Sequence, residues 1–202
     1  LNGGGQKDPN LNWEIFYDDV VLDSIAGPPN KLGELKTLAD GEEVSVTGKI
    51  VTAAPGVGGV PVEVFYIEET NRSSGIRVAS TTAVAVGDSV SVAGAMATTP
   101  AGERYINATT VVTTSGTALA PLAANTRALA DTMMEGLLVK GAGTVRSVGS
   151  DYFTIADGYF KDGAEVETKV VTGGAPGVSV GEFVTVTGAA SREAGRVILQ
   201  VP

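Results

Sequence analysis

The chain has 202 residues, 43% hydrophobic and 18% charged: enough apolar side chain for a buried core, too little charge for a disordered polyelectrolyte. It holds no cysteine and no histidine, which excludes disulfides, thiolate nucleophiles, zinc sites built on those residues and Ser-His-Asp chemistry. The net charge of −9, from 14 basic and 23 acidic residues, argues against a general nucleic-acid binder, because such proteins neutralise phosphates with Lys and Arg.

Residues 1–12 read as a tether with Gly3, Gly4, Gly5 and Pro9 and no periodicity. Because the chain opens at Leu1 rather than Met, a removed signal peptide and an extracellular or cell-surface location are expected. No apolar run approaches the ~20 residues that span a bilayer. The segment from Trp13 to Leu22 holds the single Trp, and its aromatic and β-branched residues suit a strand. Pro28 and Pro29 then stop any regular element. Such a strand with Trp13, Ile15, Phe16, Tyr17, Val20 and Val21 must pair with something, since left open it invites aggregation. It either covers its own barrel or adds to a neighbouring subunit.

Alternation marks the next strands. Val44, Val46, Gly48 and Ile50 alternate with Ser45, Thr47 and Lys49, predicting a half-buried strand. Phe65–Ile67, Gly75–Val78, a turn at Val86–Asp88 feeding Ser89–Gly94, and Arg104–Val112 follow. Residues 113–132 read as a linker with Pro121, and Leu129–Glu135 as a short helical turn. The strand pattern then returns at Leu137–Val145, Tyr152–Ile155, Val166–Val171, Val180–Gly188 and Val197–Val201.

The two halves repeat. Val84–Gly94 and Val178–Gly188 share the pattern V-x-V-G-[DE]-x-V-x-V-x-G, and Phe65–Glu69 aligns with Phe153–Asp157. Five strands in each unit of about 70–80 residues fit a Greek-key barrel of the OB type. The reading is therefore an all-β chain of two tandem five-stranded OB-like barrels with an extended N-terminal segment. Its units are 1–30 (tail), 31–112 (first barrel), 113–132 (linker) and 133–202 (second barrel).

Residues 32–112 resemble OB-fold domains of bacterial surface and secreted proteins, through Asp40–Val51, Phe65–Glu68, Gly75–Val78, Val86–Gly94 and Gly102–Ile106. The second unit resembles them more loosely, its third strand lacking the G-I-x-V form. The resemblance implies a module of the kind that sits beside nuclease or phosphatase domains, here without a catalytic partner; fold alone does not give function.

Stacking on single strands needs aromatic platforms in a cationic groove. Tyr66, Arg77, Arg104 and Tyr105 are the candidate ligand face. Strand alternation alternatively places Phe65 and Ile67 in the core and leaves Tyr66 and Tyr105 as surface decoration. Asp157–Gly163 is an acidic turn without calcium-loop spacing, and no metal or cofactor is expected. The Gly/Pro loops Ala54–Pro61 and Gly173–Gly177 lack the P-loop form and suit close backbone approach. Asn71 and Asn107 match the glycan-acceptor pattern. The expected function is a non-enzymatic extracellular structural subunit, a head-to-tail homopolymer joined through the leading strand. The alternative is an OB module for single-stranded nucleic acid or oligosaccharide.

Overall fold

The computed structural model describes residues 30–130, 132–192 and 197–200, and the leading segment with Trp13, Ile15, Phe16, Tyr17, Val20 and Val21 lies outside them. The protein is all-β. Strands β1 (Glu43–Ala53), β2 (Val64–Glu68), β3 (Gly75–Ala79), β4 (Ser89–Thr98) and β5 (Arg104–Thr114) form a closed barrel in the order β1-β2-β3-β5-β4. β3 and β5 run parallel, and the other pairs are antiparallel.

Alternation explains β4, whose residues switch between buried and half-buried along almost its whole length. β1 alternates only as far as Val46, and from Ile50 onward every residue is buried. β2 is buried throughout. A strand buried on both faces has a second layer against its outside. Here that layer is the C-terminal sheet.

After β5 come the two-residue β6 (Leu122–Ala123), a helical turn and a 3-10 turn (Thr132–Met134). Then follow β7 (Leu138–Val148), β8 (Tyr152–Ala156), a small hairpin of β9 (Phe160–Lys161) and β10 (Ala164–Glu165), β11 (Thr168–Val171), β12 (Phe183–Ser191) and β13 (Val197–Gln200). The main C-terminal sheet has the order β12-β13-β11-β8-β7-β6, and β12 also pairs along β7. The hairpin falls where the sequence suggested a plain acidic loop. Asp162 and Gly163 at its tip have φ of 53° and 82°, the left-handed pair of a tight hairpin turn.

The repeated sequence pattern has a repeated structure. Gly87 and Gly181 hold φ of 94° and 89°, which side-chain-bearing residues rarely adopt. In each turn the Gly N–H donates to the preceding long strand, to Val51 O or Val145 O, at 2.9 Å. The carboxylates of Asp88 and Glu182 accept from Ala85 N and Ser179 N at 2.8 and 3.0 Å.

A short helix stands before each set. α1 (Leu32–Leu35) plugs the barrel with Leu32 and Leu35, and α2 (Thr126–Leu129) buries Thr126 and Leu129. The acid that follows the second strand of each set caps the helix: Glu69 accepts from Leu32 N at 2.8 Å and Asp157 from Thr126 N at 2.9 Å. Asp157 also accepts from the Thr126 hydroxyl. Glu69 further pairs with the buried Lys49, whose ammonium also reaches Asn30 O. The expected helical turn at Leu129–Glu135 is the 3-10 turn Thr132–Met134, and α2 precedes it, ending at Leu129.

One apolar cluster fills the barrel, with Phe65, Ile67, Ile76, Val92 and Ile106 among its members. A second lies under the C-terminal sheet around Val139, Phe153, Ile155, Val170 and Ile198. A third joins Ala53, Val60, Val64 and Tyr66 to Leu138 and Ala189. It is the apolar centre of the joint between the sheets.

Candidate functional site

The outer face of β2 is what the joint covers. Phe65 and Ile67 point into the barrel, whereas Val64 and Tyr66 point into the shared cluster. Backbones meet there because glycines leave room. A Cβ on Gly75 would lie 2.1 Å from Gly136 O, and one on Gly59 would lie 2.2 Å from Val171 O. The Gly/Pro loops of the sequence are therefore contact loops of this joint.

Polar groups enter the joint with most of their bonds made. Glu68 is fully buried, and its Oε1 accepts from Leu138 N. Its Oε2 has no hydrogen-bond partner. Burial pushes Glu68 up to about 7, against the opposing pull of the Leu138 N–H, the Arg72 charge, the Thr52 hydroxyl and the Lys36 charge. Burial likewise lowers Lys36, whose ammonium donates to Glu135 O at 2.7 Å. Glu135 also accepts from Arg104 N and pairs with Arg192 at 3.1 Å.

Glu103 is the other buried carboxylate. Its Oε1 accepts from the Tyr66 hydroxyl at 3.0 Å. Its Oε2 accepts from Arg77 Nη1 at 3.2 Å and from Ser191 Oγ at 2.9 Å. Burial raises both Glu103 and, far more, Tyr66, so the phenol stays protonated as the donor.

On the open side of the same strands runs a groove of about 740 Å³. Arg77 and Tyr105 are register partners on the parallel β3 and β5, and Ala79 faces Asn107 one step on. Arg77, Tyr105, Asn107 and Thr109 line it together with Ser80 and Thr82 beyond β3 and Thr98 and Thr99 at the β4–β5 turn. Glu63 stands at the groove too. A smaller crevice of about 470 Å³ opens where Ala101 faces Thr126, Leu129 and Arg192.

The four residues singled out as a ligand face are separated. Arg77 and Tyr105 line the groove together. Tyr66 is fully buried beneath the C-terminal sheet. Arg104 is not among the residues lining the groove; it pairs with Asp40, donates to Leu38 O and reaches Thr98 Oγ1 at 2.5 Å. Sequence reading missed Glu103, Asn107 as a groove residue, and the hydroxyl run after β3. Only the polar, β-branched composition of 80–82 and 98–99 signalled them. Among the described residues no group of three or more Asp or Glu stands close enough to hold a metal ion, and no helix is long and apolar enough to cross a membrane.

The electrostatics decide what the groove suits. Arg77 is only 16% exposed and its charge is met by Glu103. Arg104, the other candidate cation, is engaged by Asp40. What remains is a tyrosine ring, a carboxamide, a row of hydroxyls and the Glu63 carboxylate, without the unpaired cationic stripe that a phosphate backbone needs.

No protein-family model matches the chain. No curated protein matches it.

Proposed function

We propose that the chain is a non-catalytic, extracellular pair of OB-like barrels that binds a neutral, hydroxyl-rich chain, an oligosaccharide, in the β3–β5 groove. Support for the tandem reading comes from the pairings. β7, β8, β11, β13 and β12 connect in the same cyclic order as β1, β2, β3, β5 and β4, and the turns and helix caps match one for one. OB folds present the face of their second and third strands to ligands. In the first barrel the second strand's outer side is taken by the joint, which leaves the β3–β5 side open.

The observation that carries the binding reading is the adjacency of Arg77 and Tyr105 beside Asn107 and the Ser/Thr hydroxyls, with the guanidinium already neutralised by Glu103. An aromatic ring takes the apolar face of a sugar ring, while guanidinium, carboxamide and hydroxyls bond its rim. Calorimetric titration against cellohexaose, xylohexaose, maltohexaose and an oligo-dT strand tests this. One neutral hexasaccharide is expected to bind with little salt dependence, and Tyr105→Ala to remove the binding. Heat from oligo-dT alone, falling steeply with salt, contradicts it.

A second reading, self-assembly by strand addition, is favoured by one feature. β3 leaves β5 at Asn107, and among the described residues no strand pairs with the outer edge of Thr109–Thr114. Val112 on that stretch is 55% exposed. An open β edge accepts a further strand, and a leading strand supplied by another copy would extend the assembly. Electron microscopy of the full chain separates the readings. Polymers lost on deleting residues 1–22 support assembly, and particles with or without that segment refute it.

A further inference from the structure

We infer that the C-terminal sheet sets the shape of the groove on the first barrel, through Ser191 as a positioning residue acting on Glu103. Its functional consequence rests on the groove being the binding site proposed above; the linkage itself exists without a ligand.

Glu103 sits at a crossing. Its backbone closes the β4–β5 turn: Thr99 N donates to Glu103 O at 2.9 Å, Gly102 N to Thr99 O at 2.8 Å, and Glu103 N to Thr99 Oγ1 at 3.0 Å. Thr98, Thr99 and Pro100 of that turn form one wall of the groove. The side chain of Glu103 leaves the turn, enters the joint with 1% exposure and holds Arg77, another lining residue of the groove. The turn and Arg77 therefore both depend on where one carboxylate sits.

Three groups fix that carboxylate. Arg77 and Tyr66 belong to the barrel, and Ser191 belongs to β12 of the other sheet, 88 residues away in sequence. Ser191 is itself buried, so water does not replace its hydroxyl freely. Arg192, the next residue, also reaches the turn, donating to Gly102 O at 3.4 Å. The C-terminal sheet thus grips the turn twice, and the stronger grip is a hydrogen bond to an ionised acceptor in a dry setting. If that bond is lost, the Glu103 carboxylate is held by Arg77 and Tyr66 of the barrel alone, and only the longer Arg192 contact still reaches the turn.

The repeat makes this arrangement one-sided. β8 aligns with β2, and Thr154 stands where Tyr66 does. Thr154 bonds Ser147 on its own sheet at 2.8 Å, whereas Tyr66 bonds the buried acid Glu103. Among the described residues the second set therefore lacks the tyrosine–acid pair on which Ser191 acts in the first.

The test uses the full chain free of ligand. In Ser191→Ala, amide exchange at Thr99, Gly102 and Glu103 is expected to speed on the order of tenfold, the scale of one hydrogen bond to a charged group. The Arg77 guanidinium NMR signals are expected to broaden or merge as its contact with Glu103 loosens. Ser191→Thr, which keeps the hydroxyl, is expected to restore both. Ser191→Cys, which replaces the hydroxyl by a weak thiol donor of similar shape, serves if Ser191→Ala does not fold, and the same loosening is expected. Wild-type exchange and Arg77 signals in these variants overturn the inference. If the turn loosens in Ser191→Ala while no hexasaccharide binds wild type, the brace stands and the oligosaccharide reading falls. If wild type binds cellohexaose and Ser191→Ala binds it equally well with an unchanged turn, the brace falls and the site stands.

Discussion

Replacing Glu68 with Gln probes the joint at its most demanding atom. Glu68 is fully buried, donates nothing as a carboxylate, and leaves Oε2 without a partner. Its folded-state value of about 7 lies above the ordinary 4.5. The folded state thus holds the proton more tightly than the unfolded chain. The contribution of this group to stability is full below 4.5, declines as pH rises, and is gone above about 7. At about 1.4 kcal/mol per decade of proton affinity, the loss is on the order of 3 kcal/mol. Gln keeps an oxygen for Leu138 N and carries no charge. Urea unfolding of wild type and Glu68→Gln, followed by far-ultraviolet circular dichroism between pH 5 and 8, isolates this one group. The variant is expected to match wild type near pH 5 and to exceed it by roughly that amount at pH 8. A difference that stays flat, or that favours wild type as pH rises, refutes the reasoning.

Two other substitutions test the joint and the caps. Gly75→Ala drives a methyl against the Gly136 carbonyl, where both sides are backbone and neither yields cheaply; a loss of about 1–3 kcal/mol or more is expected in the same unfolding assay. The two helix-capping acids look alike but are not equal. Glu69→Ala strands the buried Lys49 and is expected to cost about 3–5 kcal/mol, whereas Asp157→Ala removes a cap worth about 1 kcal/mol. Equal losses in the two variants contradict the role given to Lys49.

The V-G-[DE] repeat was the most legible feature of the sequence, because its glycine, its acid and its alternating valines each answer to a local rule of turns and strands. β1, β2, β3, β5 and β8 stand within a few residues of their expected places for the same reason. The hairpin of β9 and β10 was hidden because two-residue strands show no period. α1 was hidden because Leu32 and Leu35 act as a plug, and a single turn carries no amphipathic signal. The candidate face was half legible. Alternation assigns Tyr66 and Arg77 correctly to the outside of their strands, but it cannot say that one outside is covered by a second sheet. Nothing in F-Y-I-E marks Glu68 as fully buried, since its burial comes from Leu138 and its neighbours 70 residues on.

Chemical-shift mapping on the 15N-labelled chain, titrated with the neutral hexasaccharides, examines the groove most directly. Perturbations are expected to gather on Tyr105, Asn107, the Arg77 side chain and the Ser80–Thr82 amides. Perturbations centred on the other sheet, where the Lys169 ammonium of β11 lies 4.6 Å from the Tyr152 ring of β8, or none anywhere, would contradict the assignment of binding to the β3–β5 groove.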